Sequence, residues 1–200
     1  MHPLICLASI SPRRRELLSQ IGVPHIVVGA HIDEAVLPGE APRVYVTRLA
    51  REKALAIRQT GQSLPVLAAD TTVVVDGRVF GKPHDRAHAI DMLGQLAGRT
   101  HEVLTAVALA DSRGVSERLS ASTVRFRQIS LEERAAYWDT GEPCDKAGGY
   151  AIQGLGAVFV ESLSGSYSAV MGLPLFETGD LLQTAGIQYW NGASPDRNRA

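Results

Sequence analysis

Three short segments concentrate residues suited to polyphosphate chemistry. The first, Ser9-Ile10-Ser11-Pro12-Arg13-Arg14, joins an apolar run to a helix start and offers two hydroxyls and two guanidiniums. Unpaired N–H groups and the positive dipole end favour an anion there, and an arginine fork can bind two phosphate oxygens at once. A capped surface helix with solvated arginines is the bland alternative. The second, Ala68-Ala69-Asp70-Thr71, sets a carboxylate and a hydroxyl in a strand otherwise built of apolar residues. Such a carboxylate loses hydration, which a bound metal, a lysine or a catalytic role would explain, with a structural ion pair as the alternative. The third, Asp145-Lys146-Ala147-Gly148-Gly149-Tyr150 followed by Ala151-Ile152-Gln153-Gly154, has glycines that let backbone approach a ligand closely. From it Lys146 can reach a phosphate and Gln153 can read a base edge.

Other residues add to this inventory. Asp76-Gly77 is a hairpin turn, and the return strand can bring Lys82 of Gly81-Lys82-Pro83 back beside the strand that carries Asp70. Asp33-Glu34 adds an acid pair, and Lys53 a cation that, on a helix, is expected on a solvated face. The six histidines show no metal-ligand spacing, and no Gly-x-Ser-x-Gly or Cys/His arrangement suggests a covalent nucleophile. Lysines and arginines gathered around a few carboxylates, without a Walker-type loop, suit metal-assisted attack on a polyphosphate, where charge stabilisation does most of the work.

The elements that must position these residues alternate between strand and helix patterns. Leu4–Ala8 and His25–Gly29 read as short strands, Val66–Val75 as a valine-rich strand turning into Arg78–Phe80, and Glu102–Ala110 with Val115–Phe126 as a hairpin. Helical spacing runs from Pro12 (Ser11 as N-cap), from Pro42 to Thr60, from Asp85 to Ala97, and from about Leu175 to Ala185. Ser130-Leu131-Glu132-Glu133 is a capping box opening a helix to about Thr140. A strand is expected over Ala157–Leu163. The reading is a mixed α/β domain over residues 1–188 with antiparallel hairpins and flanking helices. A polar tail at 189–200 is expected to be disordered.

Bulk properties agree. The 200 residues are 45% hydrophobic and 20% charged, with a formal charge of −1, so no global field points to a nucleic acid or a membrane. Cys6 in its apolar run and Cys144 in a polar loop read as free thiols of a reducing, cytoplasmic compartment. No stretch approaches the roughly 18 apolar residues of a membrane span.

Together the motifs resemble the Maf proteins. The resemblance rests on Leu7–Arg14, on Arg48-Leu49-Ala50 with Lys53-Ala54, and on Ala69-Asp70-Thr71. Asp76-Gly77, Gly81-Lys82-Pro83 and Gly98-Arg99-Thr100-His101 follow in order. Tyr137 with Thr140–Pro143, the run Asp145–Gly154, Gly165-Ser166-Tyr167 and Gly172-Leu173-Pro174 complete it. It implies a two-lobed α/β fold around a cleft, related to the house-cleaning inosine triphosphate pyrophosphatases. It also implies cleavage between α- and β-phosphates to a nucleoside monophosphate and pyrophosphate. Arg13, Thr71 and Gln153 stand at the positions that separate the family's branches, as in the branch acting on dTTP and UTP. A branch acting on 7-methyl-GTP carries Trp, Gln and Glu there and is the first alternative. A nucleotide-sensing regulator of septum formation without turnover is the second.

The roles that follow are expectations. Asp70 is the general base or shares that role with metal binding, and Glu34 is the second metal ligand for Mg²⁺ or Mn²⁺. Ser9, Arg13, Arg14, Lys53, Lys82 and Lys146 hold the triphosphate, while Thr71 and Gln153 discriminate the base. The expected partner is a small-molecule nucleotide, with no nucleic acid and no membrane, and the sequence leaves open whether the chain forms a homodimer.

Overall fold

The computed structural model describes residues 2–190. One seven-stranded sheet has the order β2-β1-β3-β5-β6-β7, with β4 paired to β3 off this path. β1 (Ile5–Leu7) runs parallel to β2 (His25–Val27) and to β3 (Val66–Val75). β3 is antiparallel to both β4 (Arg78–Phe80) and β5 (Thr100–Asp111), and β5 continues through β6 (Gly114–Phe126) to β7 (Val160–Ser164) in antiparallel steps. Asp76 and Gly77 both take positive φ (50° and 74°), the turn that the β3–β4 hairpin requires. The mixed α/β fold expected from the sequence is the fold observed.

Outside Asp70-Thr71-Thr72, β3 is apolar on both sides because both of its faces are covered. On one face lies α2 (Pro42–Arg58), whose Val46, Ala50, Ala54 and Ile57 pack on Cys6, Ala8, Val66, Ala68, Leu104, Ala106 and Ala108. Alanine on both sides of this contact lets helix and sheet approach closely. The other face carries two apolar clusters. One joins Leu7, Leu67, Ala69 and Val107 to α1 (Pro12–Gln20) and α6 (Leu175–Thr184). The second joins Val73, Val75, Val103, Val124 and Phe126 to α3 (Arg86–Leu96), Tyr137 of α4 (Leu131–Asp139) and Phe159. Both clusters pack on one continuous sheet.

Between the clusters the same face turns polar. Thr71, Thr105, Ser120 and Ser122 occupy it strand by strand, and α5 (Tyr167–Met171) lies against them. Ser122 holds Ser166, the N-cap of α5, through a bond from Ser166 N of 3.0 Å. The sequence reading missed α5, which is five residues long and too short for an apolar period. The expected strand over Ala157–Leu163 also needs correction. Leu155–Phe159 forms a 3₁₀ turn, and pairing begins only at Val160. The Glu142 carboxylate accepts from Leu155 N and Gly156 N, each at 3.0 Å, so those donors are committed to a turn and not to a ladder.

Tyr189 packs against the α1–α6 cluster and Trp190 N donates to Ile21 O, so the packed chain extends past residue 188. The rest of the tail expected to be disordered lies outside the described residues. Among the described residues no helix is long and apolar enough to cross a membrane.

The capping box is present in full: Ser130 Oγ accepts from Glu133 N at 3.2 Å, and the Glu133 carboxylate accepts from Ser130 N at 3.0 Å. Replacing Ser130 with alanine should therefore lower unfolding free energy by about 1 kcal/mol in urea titration. A change near zero would mean that packing alone fixes the start of α4.

Candidate active site

The sheet leaves a gap along one edge of β3. Pairing with β1 covers Val66 and Leu67, and pairing with β4 begins at Val73. Between them, around Asp70 and Thr71, β3 has a strand neighbour only on the β5 side among the described residues. The carboxyl end of β1 opens into this gap, and its continuation, Ser9–Ser11, leads to the start of α1. In sheets with parallel strands a crevice beyond the strand ends is the usual place for a ligand.

Because side chains alternate along β3, Asp70 faces α2 and Thr71 faces the polar seam. Asp70 is 7% exposed and Lys53 is 8% exposed, so the expectation of a solvated Lys53 is overturned. The lysine sits on the buried stripe of α2, and its Nζ lies 2.7 Å from Asp70 Oδ1 and 2.7 Å from Glu34 Oε1. Glu34 comes from an irregular loop that is pinned twice. Tyr45 Oη donates to Glu34 O at 3.0 Å, and Arg48 forks onto Glu40 at 2.6 and 2.8 Å while also reaching Ala35 O at 2.9 Å. Hydrogen bonding to Arg48 draws Glu40 down to about 2, so this brace stays ionised at neutral pH.

The two acids differ in proton affinity. Burial pushes Asp70 up from the ordinary carboxylate range, against Lys53 and Arg14, and Glu34 adds to the rise. Burial also works to raise Glu34, but Lys53, Lys82 and Arg14 together hold it below its ordinary range. Paired carboxyls pushed in opposite directions are how one site supplies both a proton acceptor and a permanent charge.

On the seam side, Arg14 is the inward-facing arginine. Its Nε donates to Gly172 O at 2.8 Å, and its Nη atoms lie 3.4 Å from Ser9 Oγ and 3.4 Å from Thr71 Oγ1. Burial lowers its guanidinium, while Asp70 and Glu34 oppose that change. Gly172 has φ +116°, and a Cβ there would lie 3.5 Å from Arg14 Nε and 3.7 Å from Thr71 Oγ1. Pro12 opens α1, the Ser11 side chain caps nothing, and Ser9 Oγ accepts from Ser11 N at 3.2 Å. The first-turn N–H groups of Arg13 and Arg14 thus have no intrahelical acceptor.

The remaining expected residues lie further from this cluster. Arg13 points along the helix surface to Glu16 at 2.9 Å. Lys82 acts on Glu34 through its charge. Lys146 is ion-paired with its neighbour Asp145, and its loop is tied to the Lys82 segment by Gly148 N donating to Gly81 O at 3.0 Å. Gln153 follows buried Ile152 and makes no hydrogen bond to Asp70, Lys53 or Thr71 among the described residues. Its loop is gripped by Tyr137 Oη on Ala151 N (3.1 Å), by Glu142, and by Tyr150 Oη 2.8 Å from His101 Nε2. His101 is lowered to about 4 by burial, so it is neutral and can accept that bond. Sequence reasoning missed Thr105 as a site residue, although a threonine inside Val103-Leu104-Thr105-Ala106-Val107 gives the same signal that flagged Asp70.

Among the described residues no group of three or more His, Cys, Asp or Glu could hold a metal. Two carboxylates sharing one cation do fit a hard ion that keeps waters and takes its other ligands from phosphate oxygens.

Fold and site define an α/β protein in which an acid pair and several cations meet at a gap in a mixed sheet. The chain belongs to the family described as Maf-like protein, whose profile matches residues 4–185. It is 52% identical over 193 residues to the dTTP/UTP pyrophosphatase of Saccharophagus degradans, covering 94% of this chain and 92% of that one. The dTTP/UTP pyrophosphatase of Escherichia coli O157:H7 is 54% identical over 177 residues, covering 88% and 90%. Protein VC0702 from Vibrio cholerae, a solved structure, shares the fold at a TM-score of 0.50 and 11% identity, over 94% of this chain and 100% of that one.

The raised Asp70 has a stability consequence. A group with a raised folded-state pKa contributes stability at low pH that is lost as pH rises through that pKa. Asp70→Asn should therefore match the native chain near pH 4 and become relatively more stable toward pH 8, measured by urea unfolding in chelator. Loss of stability at pH 8 would instead mark the Asp70–Lys53 contact as a structural ion pair.

Proposed function

We propose that this protein is a nucleoside triphosphate pyrophosphatase that hydrolyses dTTP and UTP to the monophosphate and pyrophosphate. The observation that carries the reading is the buried, proton-affine Asp70 at the sheet gap beside Lys53, Glu34 and Arg14. The names of relatives more than 50% identical supply the substrates.

In this reading Asp70 takes a proton from water as its oxygen attacks phosphorus, and the bond between the α- and β-phosphates breaks with pyrophosphate leaving. Two carboxylates face three cations, Lys53, Arg14 and Lys82, so the site carries a positive surplus matched to a polyanion. Ser9, Arg13, Arg14 and the start of α1 hold phosphate oxygens, with Lys82 and Lys146 closing from the other side. Asp70 and Glu34 would hold Mg²⁺ or Mn²⁺, which when bound neutralises charge building on the phosphates. Lys53 keeps the two acids at bonding distance from one ammonium, and so fixes their spacing before substrate arrives. Thr71 and Gln153 read the base.

A pyrophosphate-release screen over canonical and modified triphosphates tests the whole reading, with dTTP and UTP expected well above ATP, GTP and 7-methyl-GTP. Asp70→Asn should lose roughly 10²-fold or more of kcat while remaining folded. Near-normal turnover at saturating metal would remove Asp70 from the chemistry.

Changing Arg13, Thr71 and Gln153 together to Trp, Gln and Glu should lower kcat/KM for dTTP and raise it for 7-methyl-GTP. An unchanged ratio would show that these three are not the selectors.

A further inference from the structure

Thr105 is fully buried in β5, directly across from Thr71 in the β3–β5 register. Its Oγ1 lies 2.7 Å from Ala169 O and 3.0 Å from Thr71 Oγ1. A carbonyl can only accept, so the single Thr105 proton goes to Ala169. Thr105 then has only lone pairs to offer Thr71, and Thr71 must be the donor in the 3.0 Å contact. The proton of Thr71 is thereby directed into the protein. The Arg14 guanidinium, which can only donate, lies 3.4 Å from the same oxygen. Thr71 is the partly exposed residue in a strand whose other nine positions are buried. Whatever binds in the gap meets a lone pair of Thr71 and no proton.

We infer that Thr105 is a specificity-determining residue that acts through Thr71. The relay Thr71→Thr105→Ala169 makes Thr71 an obligatory acceptor, so the base edge it reads must present an N–H. The inference rests on the reading of Thr71 as a base contact. Uracil and thymine carry a ring N–H at position 3, and either can donate to Thr71. Cytosine has a bare lone pair at that nitrogen. Two acceptors would then face each other beside a buried wall, and neither would be satisfied. The relay also accounts for threonine in the middle of β5, where valine would fill the same space. Without the hydroxyl, Ala169 O would keep only its bond from Gly172 N at 2.9 Å, and Thr71 could rotate its proton outward.

The test is kcat/KM for UTP and CTP, read by pyrophosphate release, on the native chain, Thr105→Val, Thr105→Ser and Thr71→Val. The native chain should favour UTP by about tenfold or more, as expected for one unmatched buried polar pair. Thr105→Val should cut that preference about tenfold by freeing the Thr71 proton, while Thr105→Ser, which keeps the hydroxyl, should restore it. If Thr71→Val abolishes the preference but Thr105→Val leaves it whole, the relay is wrong and Thr71 still reads the base. A preference untouched by both changes removes Thr71 as a base contact and the relay with it. Two measurements need only the native protein, should Thr105→Val not fold. CTP cleaved as well as UTP, or 3-methyl-UTP cleaved as well as UTP, overturns the inference. Release from no nucleotide at all refutes the activity itself.

Discussion

Lys53 brings an ammonium to 2.7 Å from two carboxylates at a place that is closed to water on most sides. One ammonium serves two acids, so both must arrive by independent routes and stop at the same point. The route of Asp70 is the apolar strand β3, which holds it rigidly in the sheet. Glu34 comes from a loop with no regular structure, and this is why Arg48, Glu40 and Tyr45 brace that loop. Lys53 itself depends on alanines. Ala50 and Ala54 against Ala68, Ala106 and Ala108 allow α2 close enough for a lysine side chain to end at the strand.

The opposite face of the sheet settles a different conflict. A single apolar core across it would be simpler to pack, yet four hydroxyl residues divide it in two. Buried hydroxyls are tolerated only when bonded, and α5 supplies the partners through Ala169 O and the Ser166 backbone. Asp70 and Thr71 are neighbours in sequence that look out through opposite faces, and both sit at the gap in β3 pairing. The acid pair lies on one face and the hydroxyl row on the other, with the backbone of one strand between them.

Much of this was legible in the sequence because the signals were contrasts. An acid in a valine-rich run, an Asp-Gly turn and a Ser-x-x-Glu box each stand out from their surroundings, and each sits where expected. Pro12 and Pro42 marked helix starts for the same reason. What could not be read is what depends on residues far apart in the chain. Lys53 looks like any helical lysine until the closeness of α2 to β3 is known. Arg13 and Arg14 are indistinguishable in sequence, but helical geometry turns one to Glu16 and the other to Gly172 and Thr71. The strand expected at Ala157 failed because Leu155–Phe159 winds into a 3₁₀ turn, which Glu142, well upstream, anchors at Leu155 N and Gly156 N.

The bond from Arg14 Nε to Gly172 O spans 158 residues. It ties the first helix to the segment just before the last one, and that has a consequence during synthesis. Segments bearing Ser9, Glu34, Lys53 and Asp70 leave the ribosome early and can pair among themselves. Arg14 meets its acceptor only once residue 172 has emerged, and Thr105 waits likewise for Ala169. A nascent chain can therefore assemble its acids and Lys53 long before Arg14 and Thr105 find their acceptors, so the arrangement is completed with the last helices and not in proportion to length.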